Sequence, residues 1–341
     1  MNLPDPAPVI DLMEGFRRSK TMFAAVSLGV FDLLAEGPLT GPAIAERLHC
    51  NPDAMQRLLE ACTGLQLLTL HAGAFANSPA ADVYLRQSSD RALTGYILYS
   101  NDALYQMWGH LEDAIRQGTP RWEQTFGWPG PIFEHFFSTP EKMRCFTLGM
   151  HGLGVSTSPD VVRAFDLSQF HTLADLGAAT GHLVIAACEA WPQLNGVVFD
   201  MERVITVARE FVGRSPARDR ITLVAGDFFL DEEDALPRAD LYALGRILHD
   251  WPEDKIRLLL RRIFRKLPSG GGLLIAEKQL FEDRSGPVGA QMQSLNMLVC
   301  TEGKERSFSE YSALLKEAGF ATVEGKKTGK YLDAMLARKA E

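Results

Sequence analysis

Near residue 170 the hydrophobic rhythm of this chain changes, and that change limits the possible folds more than any single motif. Before it, apolar residues recur mostly at helical spacing. After it, short apolar runs at 172–176, 196–199, 221–224, 240–244 and 272–276 alternate with helical stretches at 182–191, 203–213, 254–267 and, later, 307–318. Such alternation predicts a parallel sheet with helices on both faces. Two runs near the end, 321–324 and 331–337, fit a closing antiparallel hairpin and bring the strands to seven. The expected class is therefore α/β, with a Rossmann-like seven-stranded domain over 166–341 and a mostly helical domain over 1–165. A length of 341 residues suits two domains.

The helical half has its own pattern. The stretch 19–36 (SKTMFAAVSLGVFDLLAE) reads as one helix stopped by Gly37-Pro38. A short helix runs from Thr40 or Gly41 to His49. Asn51 is placed to cap a second helix, with Pro52 in its first turn. Runs at 66–70 and 74–77 read as two short strands. Two helices and a small hairpin make a winged-helix-like unit. The helix that would enter DNA carries Asp53, Arg57 and Glu60, a poor set for reading phosphates. A dimer scaffold is the better reading, because the segment 22–31 is apolar over more than one helix face. Residues 101–160 continue helical and hold Tyr105, Trp108, Trp122, Phe126, Trp128, Phe133, Phe136, Phe137 and Phe146. That density predicts an apolar pocket wall suited to flat ligands.

Charge and cysteines narrow the setting. A net charge of −8 opposes a nucleic-acid surface. The basic stretch 257–266 alternates with leucines, so it reads as the solvated face of a helix. Cys50, Cys62, Cys145, Cys188 and Cys300 are scattered, with no CxxC pair, which predicts reduced thiols in the cytoplasm rather than disulfides or zinc. The N-terminus lacks the form of a signal peptide, and no run is long and apolar enough for a membrane span.

After the first strand of the α/β half comes Asp175-Leu176-Gly177-Ala178-Ala179-Thr180-Gly181-His182. Small residues there let the backbone turn tightly against a ligand as the next helix begins. Alone, Gly177 and Gly181 are a weak signal. Asp200 closes the second strand, where an acid can accept both hydroxyls of a ribose. Gly226-Asp227-Phe228 closes the third, where an acid can accept an adenine amino group and a Phe can stack on the ring. All three lie at the carboxyl ends of consecutive strands, where open α/β sheets bind ligands. A nicotinamide cofactor would call for the full GxGxxG fingerprint, which is not evident.

Beyond the fourth strand lies Gly245-Arg246-Ile247-Leu248-His249-Asp250-Trp251-Pro252. His249 thus falls at the rim of the cofactor crevice. A phenol, with a pKa of ~10, is a poor nucleophile at neutral pH until a base takes its proton, and histidine can do so. Such a base needs an orienting carboxylate. Glu277, at the end of the fifth strand, and Glu305 are both candidates.

Several motifs together carry a resemblance: LHDWPED, KLPSGGGLLIAEKQL, SLNMLVCTEGKERSFSEY and KKTGKYLDAMLARK, with SLGVFDLLAEGPLT, WGHLEDAIRQG and QTFG in the first half. Over nearly its whole length the chain resembles the acetylserotonin O-methyltransferase family of class I S-adenosylmethionine-dependent enzymes. More distantly it is similar to plant caffeic-acid-type O-methyltransferases. The resemblance implies methyl transfer without metal to a hydroxyl of a small, aromatic molecule of phenol or indole type. It also implies a helical N-terminal dimerisation domain and a homodimer. It makes His249 the catalytic base flanked by Glu277 and Glu305. Asp200, Gly226, Asp227, Phe228 and Arg246 would contact S-adenosylmethionine beside the Gly177 and Gly181 turn. Asp250 and Asn296 would contact substrate, in a pocket with Trp251, Phe146 and Cys300.

The chain departs from the family at three places. The first-strand loop reads GAATG where relatives are richer in glycine. Cys300 stands where acetylserotonin enzymes carry a substrate-holding Gln, and Gly154 where they carry a cofactor-packing Trp. The last two concern which acceptor is used, not methyl transfer. Two other readings remain: a non-methylating enzyme (decarboxylase, hydroxylase or cyclase) using the same sulfonium cofactor, and a winged-helix regulator sensing a small molecule. The first tends to lose the His base, which is kept here. The second is opposed by the acidic recognition helix.

Overall fold

A computed structural model describes residues 3–130, 133–134, 137–230 and 236–341; Phe136 lies outside the described residues. The chain divides into two compact units, Met1–Ala103 and Leu104–Glu341.

In the first unit, helix Ala7–Ser27 is followed by Val30–Leu33 and a short turn of 3-10 helix. The run 19–36 is thus not one helix. Gly29, at φ +79°, takes a left-handed conformation that costs glycine least and breaks it. Helices Gly41–Arg47 and Pro52–Gly64 follow. Asn51 caps the second, its side chain accepting from the Ala54 amide at 3.0 Å. Strands β1 (Leu39–Thr40), β2 (Leu68–His71) and β3 (Ala74–Asn77) form an antiparallel sheet in the order β1-β3-β2, completing the winged-helix-like pattern. Within the segment 22–31, Ala25, Val26, Val30 and Phe31 are buried in this unit's own core with Leu59 and Phe75. The apolar surplus lies earlier on the same helix, where Leu12 is 81% and Phe16 55% exposed.

The second unit holds a seven-stranded sheet: β4 (Thr172–Leu176), β5 (Asn195–Asp200), β6 (Ile221–Ala225), β7 (Leu241–Gly245), β8 (Gly272–Glu277), β9 (Thr322–Lys326) and β10 (Asp333–Arg338). Its order is β6-β5-β4-β7-β8-β10-β9. The first five strands in sequence pair in parallel, and β10 pairs antiparallel with β8 and β9. Strand alternation divides the core into two layers. Leu173, Val198, Ala243 and Leu274 face one, with helices Pro140–Arg163, His182–Ala190 and Glu202–Val212. Leu176, Phe199, Leu244 and Ile275 face the other, with helices Glu253–Lys266 and Phe308–Ala318. Each such Leu or Ile contributes about 1.5–3 kcal/mol by leaving water.

Two features differ from the sequence reading. The stretch 101–160 is broken into Tyr105–Trp108, Leu111–Gln117, Trp122–Phe126 and the long Pro140–Arg163 helix. These belong to the same compact unit as the sheet, so the units part at 103/104, while the change from helix to alternating elements falls after Arg163. Helix Val288–Cys300, which carries Asn296 and Cys300, was not read from the sequence. Among the described residues no helix is long and apolar enough to cross a membrane.

Candidate active site

The loop after β4 turns on Gly177 (φ +75°), Ala179 (φ +51°) and Gly181 (φ +79°). A Cβ on Gly177 would come 2.6 Å from Ile247 Cδ1 and 3.5 Å from Phe228, so close packing as well as the left-handed φ requires glycine there. Asp200 ends the neighbouring β5 and anchors the loop: its Oδ2 accepts from the Ala179 amide and its Oδ1 from Met201, each at 2.8 Å. Burial raises its pKa to about 6 against those two backbone bonds. Asp175, beneath the loop, is raised to about 8 by burial and by Asp200. Gly226 sits against the Phe199 ring with no room for a side chain. Asp227 Oδ1 accepts from the Phe229 amide at 2.8 Å. The three strand-end acids are brought to adjacent positions, since β6, β5 and β4 are neighbours.

The 3-10 turn Leu248–Asp250 follows β7 and presents His249. His249 is 3% exposed. Its Nδ1 lies 2.7 Å from Glu305 Oε1 and 3.6 Å from Glu277 Oε2, while Nε2 is 3.7 Å from Asp250 Oδ1. Burial alone would push the pKa of the imidazole down; the carboxylates of Glu277, Glu305 and Asp250 outweigh it and hold the ring up at about 10. Burial also raises Glu277 to about 7 and pushes Asp250 up.

The two glutamates have different tasks. Glu305 makes the hydrogen bond to the ring. Glu277 Oε1 faces the backbone amides of Ile247, Leu248 and His249 at 3.1, 2.8 and 3.4 Å, so it grips the turn that carries the ring. Arg306 grips the same turn from its carbonyl side, donating to Leu248 O at 3.3 Å and Trp251 O at 3.4 Å. Gly303 lets the chain approach; a Cβ there would fall 2.1 Å from the His249 carbonyl oxygen, well inside contact distance. Arg306 and Gly303 were missed in the sequence, whose only signal was their place in EGKER beside Glu305. His249, Glu277 and Glu305 could by chemistry also ligate a cation, their ligating atoms lying within 4.8 Å of one another.

Aromatic rings cluster around Trp251, two residues after His249. Trp251 lies 5.3 Å from Phe133 and 4.9 Å from Phe229, and Phe146 meets Phe133 and Phe137 edge-on at 6.3 and 5.9 Å. Asn296 Oδ1 accepts from Trp108 Nε1 at 2.9 Å, and its Nδ2 donates to Cys300 Sγ at 3.5 Å. Trp122 donates to the Cys300 carbonyl at 2.8 Å. Cys300 is buried, and burial pushes its thiol pKa well up. Trp128 lines a separate open cleft with Arg121 and Cys300, and Tyr105 is exposed. Arg246, at φ +58°, reaches Met150 Sδ at 3.5 Å.

This sheet, with acids at the ends of adjacent strands and a buried, carboxylate-bound histidine beyond β7, has the layout of a group-transfer enzyme. Residues 108–321 match the O-methyltransferase domain family and residues 10–87 the O-methyltransferase dimerisation domain. The chain belongs to the O-methyltransferase family. It is 41% identical to acetylserotonin O-methyltransferase of Gallus gallus over 345 residues, with 99% of each chain covered. The Homo sapiens enzyme of that name is 38% identical over 336 residues, covering 96% of each. The solved structure of human N-acetylserotonin methyltransferase in complex with S-adenosylmethionine superposes with a TM-score of 0.93 at 37% identity, over 100% of both chains.

Proposed function

We propose that this protein transfers a methyl group from S-adenosylmethionine to a hydroxyl of a small aromatic molecule, with His249 as general base. The observation that carries the reading is the buried His249–Glu305 hydrogen bond at the rim of the glycine turn. The residues present suit the cofactor: the tight left-handed turn at Gly177 and Gly181 brings backbone to the strand ends, and Asp200 and Asp227 offer acceptors for ribose and adenine. Phe228, beside Gly177, offers a ring face.

When bound, S-adenosylmethionine supplies an electrophilic methyl on a positively charged sulfur. The protein's part is to bring the acceptor oxygen in line and remove its proton. Glu305 accepts from Nδ1, which leaves Nε2 as the nitrogen that takes the hydroxyl proton. The carboxylates around the ring make it a stronger base than a free imidazole, which favours taking the proton of a phenol. A positive charge held in the same crevice would favour the neutral ring, with Nε2 open to the hydroxyl proton. Phe133, Phe146 and Trp251 hold the flat ring of the acceptor and exclude water. Asn296 gives one of its two amide hydrogens to a thiol, a weak acceptor, so its amide can also donate to an acceptor group on the substrate. Asp250, on the Nε2 side, borders the acceptor oxygen.

Retention of the complete His–Glu set favours methylation over non-methylating use of the cofactor. DNA binding by the first unit is opposed by the Asp53–Arg57 ion pair at 2.7 Å, which neutralises the one basic residue on that part of the helix. The helical part, 1–165, is the proposed dimerisation and substrate-lid domain, and a homodimer is the proposed assembly. The decisive experiment replaces His249 with Ala. Methyl transfer to a panel of phenols, catechols and indoles falls ~10²–10⁴-fold, with calorimetric affinity for S-adenosylmethionine nearly unchanged. Unaltered turnover would refute the base assignment.

A further inference from the structure

Two contacts join the Pro140–Arg163 helix to the loop and helix that follow β4. His151 Nδ1 lies 2.7 Å from Thr180 Oγ1, and Ser158 Oγ lies 2.9 Å from His182 Nδ1. Between them, Gly154 presents bare backbone to the His182 ring: a Cβ there would come 2.3 Å from His182 Cδ2 and Nε2. The imidazole thus occupies the space in which a side chain at 154 would stand. Met150, Gly154 and Ser158 recur at four-residue spacing, so they share a helix face with His151 beside them. That face meets the cofactor turn, with Arg246 reaching Met150.

On the proposed function, Asp227 after β6 and Asp200 at the end of β5 would hold adenine and ribose, and the rest of the cofactor would reach across β4 and β7, the next strands in order, toward His249. Gly177–Gly181, His182 and Arg246 would then hold its amino-acid end, with a carboxylate and an ammonium. Three features there favour an anion. One is the Arg246 guanidinium. Another is the start of helix His182–Ala190, whose first turn has no side-chain cap. The third is His182 itself. Burial, then His151 and Arg246, hold its pKa down to about 3, so the ring is neutral. With the Ser158 hydroxyl donating to Nδ1, Nε2 carries the hydrogen, and no protein acceptor among the described residues takes it.

We infer that His182 is a further cofactor-binding residue, donating through Nε2 to the carboxylate of S-adenosylmethionine beside Arg246, and that Gly154 is glycine to seat that ring. The inference rests on the proposed function, because it concerns the same cofactor. It deepens that reading by adding a side chain specific to the amino-acid end.

The test compares S-adenosylmethionine with its decarboxylated analogue, which lacks only the carboxylate, by calorimetry on the full chain. The wild-type protein binds the parent cofactor more tightly. In His182→Ala that preference shrinks about tenfold or more, the range for a hydrogen bond to a charged group, while affinity for the analogue is unchanged. His182→Gln, which keeps a donor, restores part of the preference. Gly154→Ala displaces the ring without altering its chemistry and reduces the preference in the same direction. A preference unchanged in both His182→Ala and Gly154→Ala overturns the proposal while leaving the cofactor reading intact. Equal weakening of both ligands overturns it too, since that marks a structural role. Failure of the wild-type chain to bind either ligand overturns the cofactor reading and the proposal with it.

Discussion

Glu277 and Arg306 hold opposite sides of one backbone turn, the first accepting from its amides and the second donating to its carbonyls, and that turn carries His249. Both side chains are buried, at 0% and 2% exposure, and they come from different places, the end of β8 and the segment before the Phe308–Ala318 helix. A buried charge of each sign is thus used to fix the position of an imidazole rather than to form a direct ion pair.

This arrangement predicts a split between two variants at position 277. Glu277→Gln keeps an acceptor for the Leu248 amide and changes unfolding free energy little. Glu277→Ala leaves the turn's amides without their partner, at a cost of about 1–3 kcal/mol for each buried group left unsatisfied. Urea denaturation followed by circular dichroism measures both. Equal losses in the two variants would show that charge, not backbone support, is what Glu277 provides.

The raised pKa values predict how the cofactor-free protein responds to pH. Asp200, Glu277 and Asp175 sit at about 6, 7 and 8, above ordinary carboxylates, and His249 at about 10, above its ordinary 6.5. All four bind a proton more tightly when folded. Each stabilises the fold fully below its unfolded pKa and loses that contribution as pH rises through its folded one. Stability of the cofactor-free chain therefore declines from the acidic side of neutrality toward pH about 10, and His249→Gln removes the alkaline part of the decline. Melting temperatures across that range provide the check. A curve rising with pH over the same window would contradict it.

Binding of the cationic cofactor, measured near pH ~9 where a lowered His249 pKa is visible, releases protons from the same cluster. A unit positive charge ~5 Å away at an effective dielectric constant of ~20 is worth about 3 kcal/mol, or roughly 2 pKa units on His249. Calorimetric titration in buffers of different ionisation enthalpy reads the proton count directly. S-adenosylhomocysteine, whose sulfur is uncharged, releases fewer. Identical release by the two ligands would place the sulfur too far from His249 for the proposed chemistry.

At Asp200 the expected loss is in binding. Asp200→Ala removes the proposed ribose acceptor and the anchor for Ala179, and weakens S-adenosylmethionine by at least tenfold, since hydrogen bonds to a carboxylate are worth about 1.5–3 kcal/mol each. In the wild-type protein, affinity falls as pH drops through about 6, because the protonated acid loses an acceptor position. Native affinity in the variant would remove Asp200 from the cofactor site.

For assembly, the exposed face of helix Ala7–Ser27 is the place to look. Leu12 and Phe16 lie on it, within the stretch that matches the dimerisation domain from residue 10 onward. Phe16→Asp is expected to shift the protein from dimer to monomer, and light scattering distinguishes the two masses. A wild-type chain that is monomeric and fully active, at the 37.7 kDa of one chain, would show that the apolar face has another use.

Much of this was legible in the sequence, for a physical reason. Strands buried on both faces must be short and continuously apolar, so β4, β5, β7 and β8 announce themselves, and ligand-binding turns fall at their carboxyl ends by topology. Gly177, Asp200, His249 and Glu277 each sit at or just beyond such an end, and Asp227 follows β6 in the same way, and so position along the chain was enough to nominate them. The tertiary structure alone decided how the nominees share the work. That Glu305 holds the ring while Glu277 holds the backbone depends on the distances between segments far apart in sequence. The break at Gly29 and the pairing of Gly154 with His182 were likewise unreadable. A left-handed glycine looks like any other glycine in a helical run, and a missing side chain has meaning only beside the ring that fills its place.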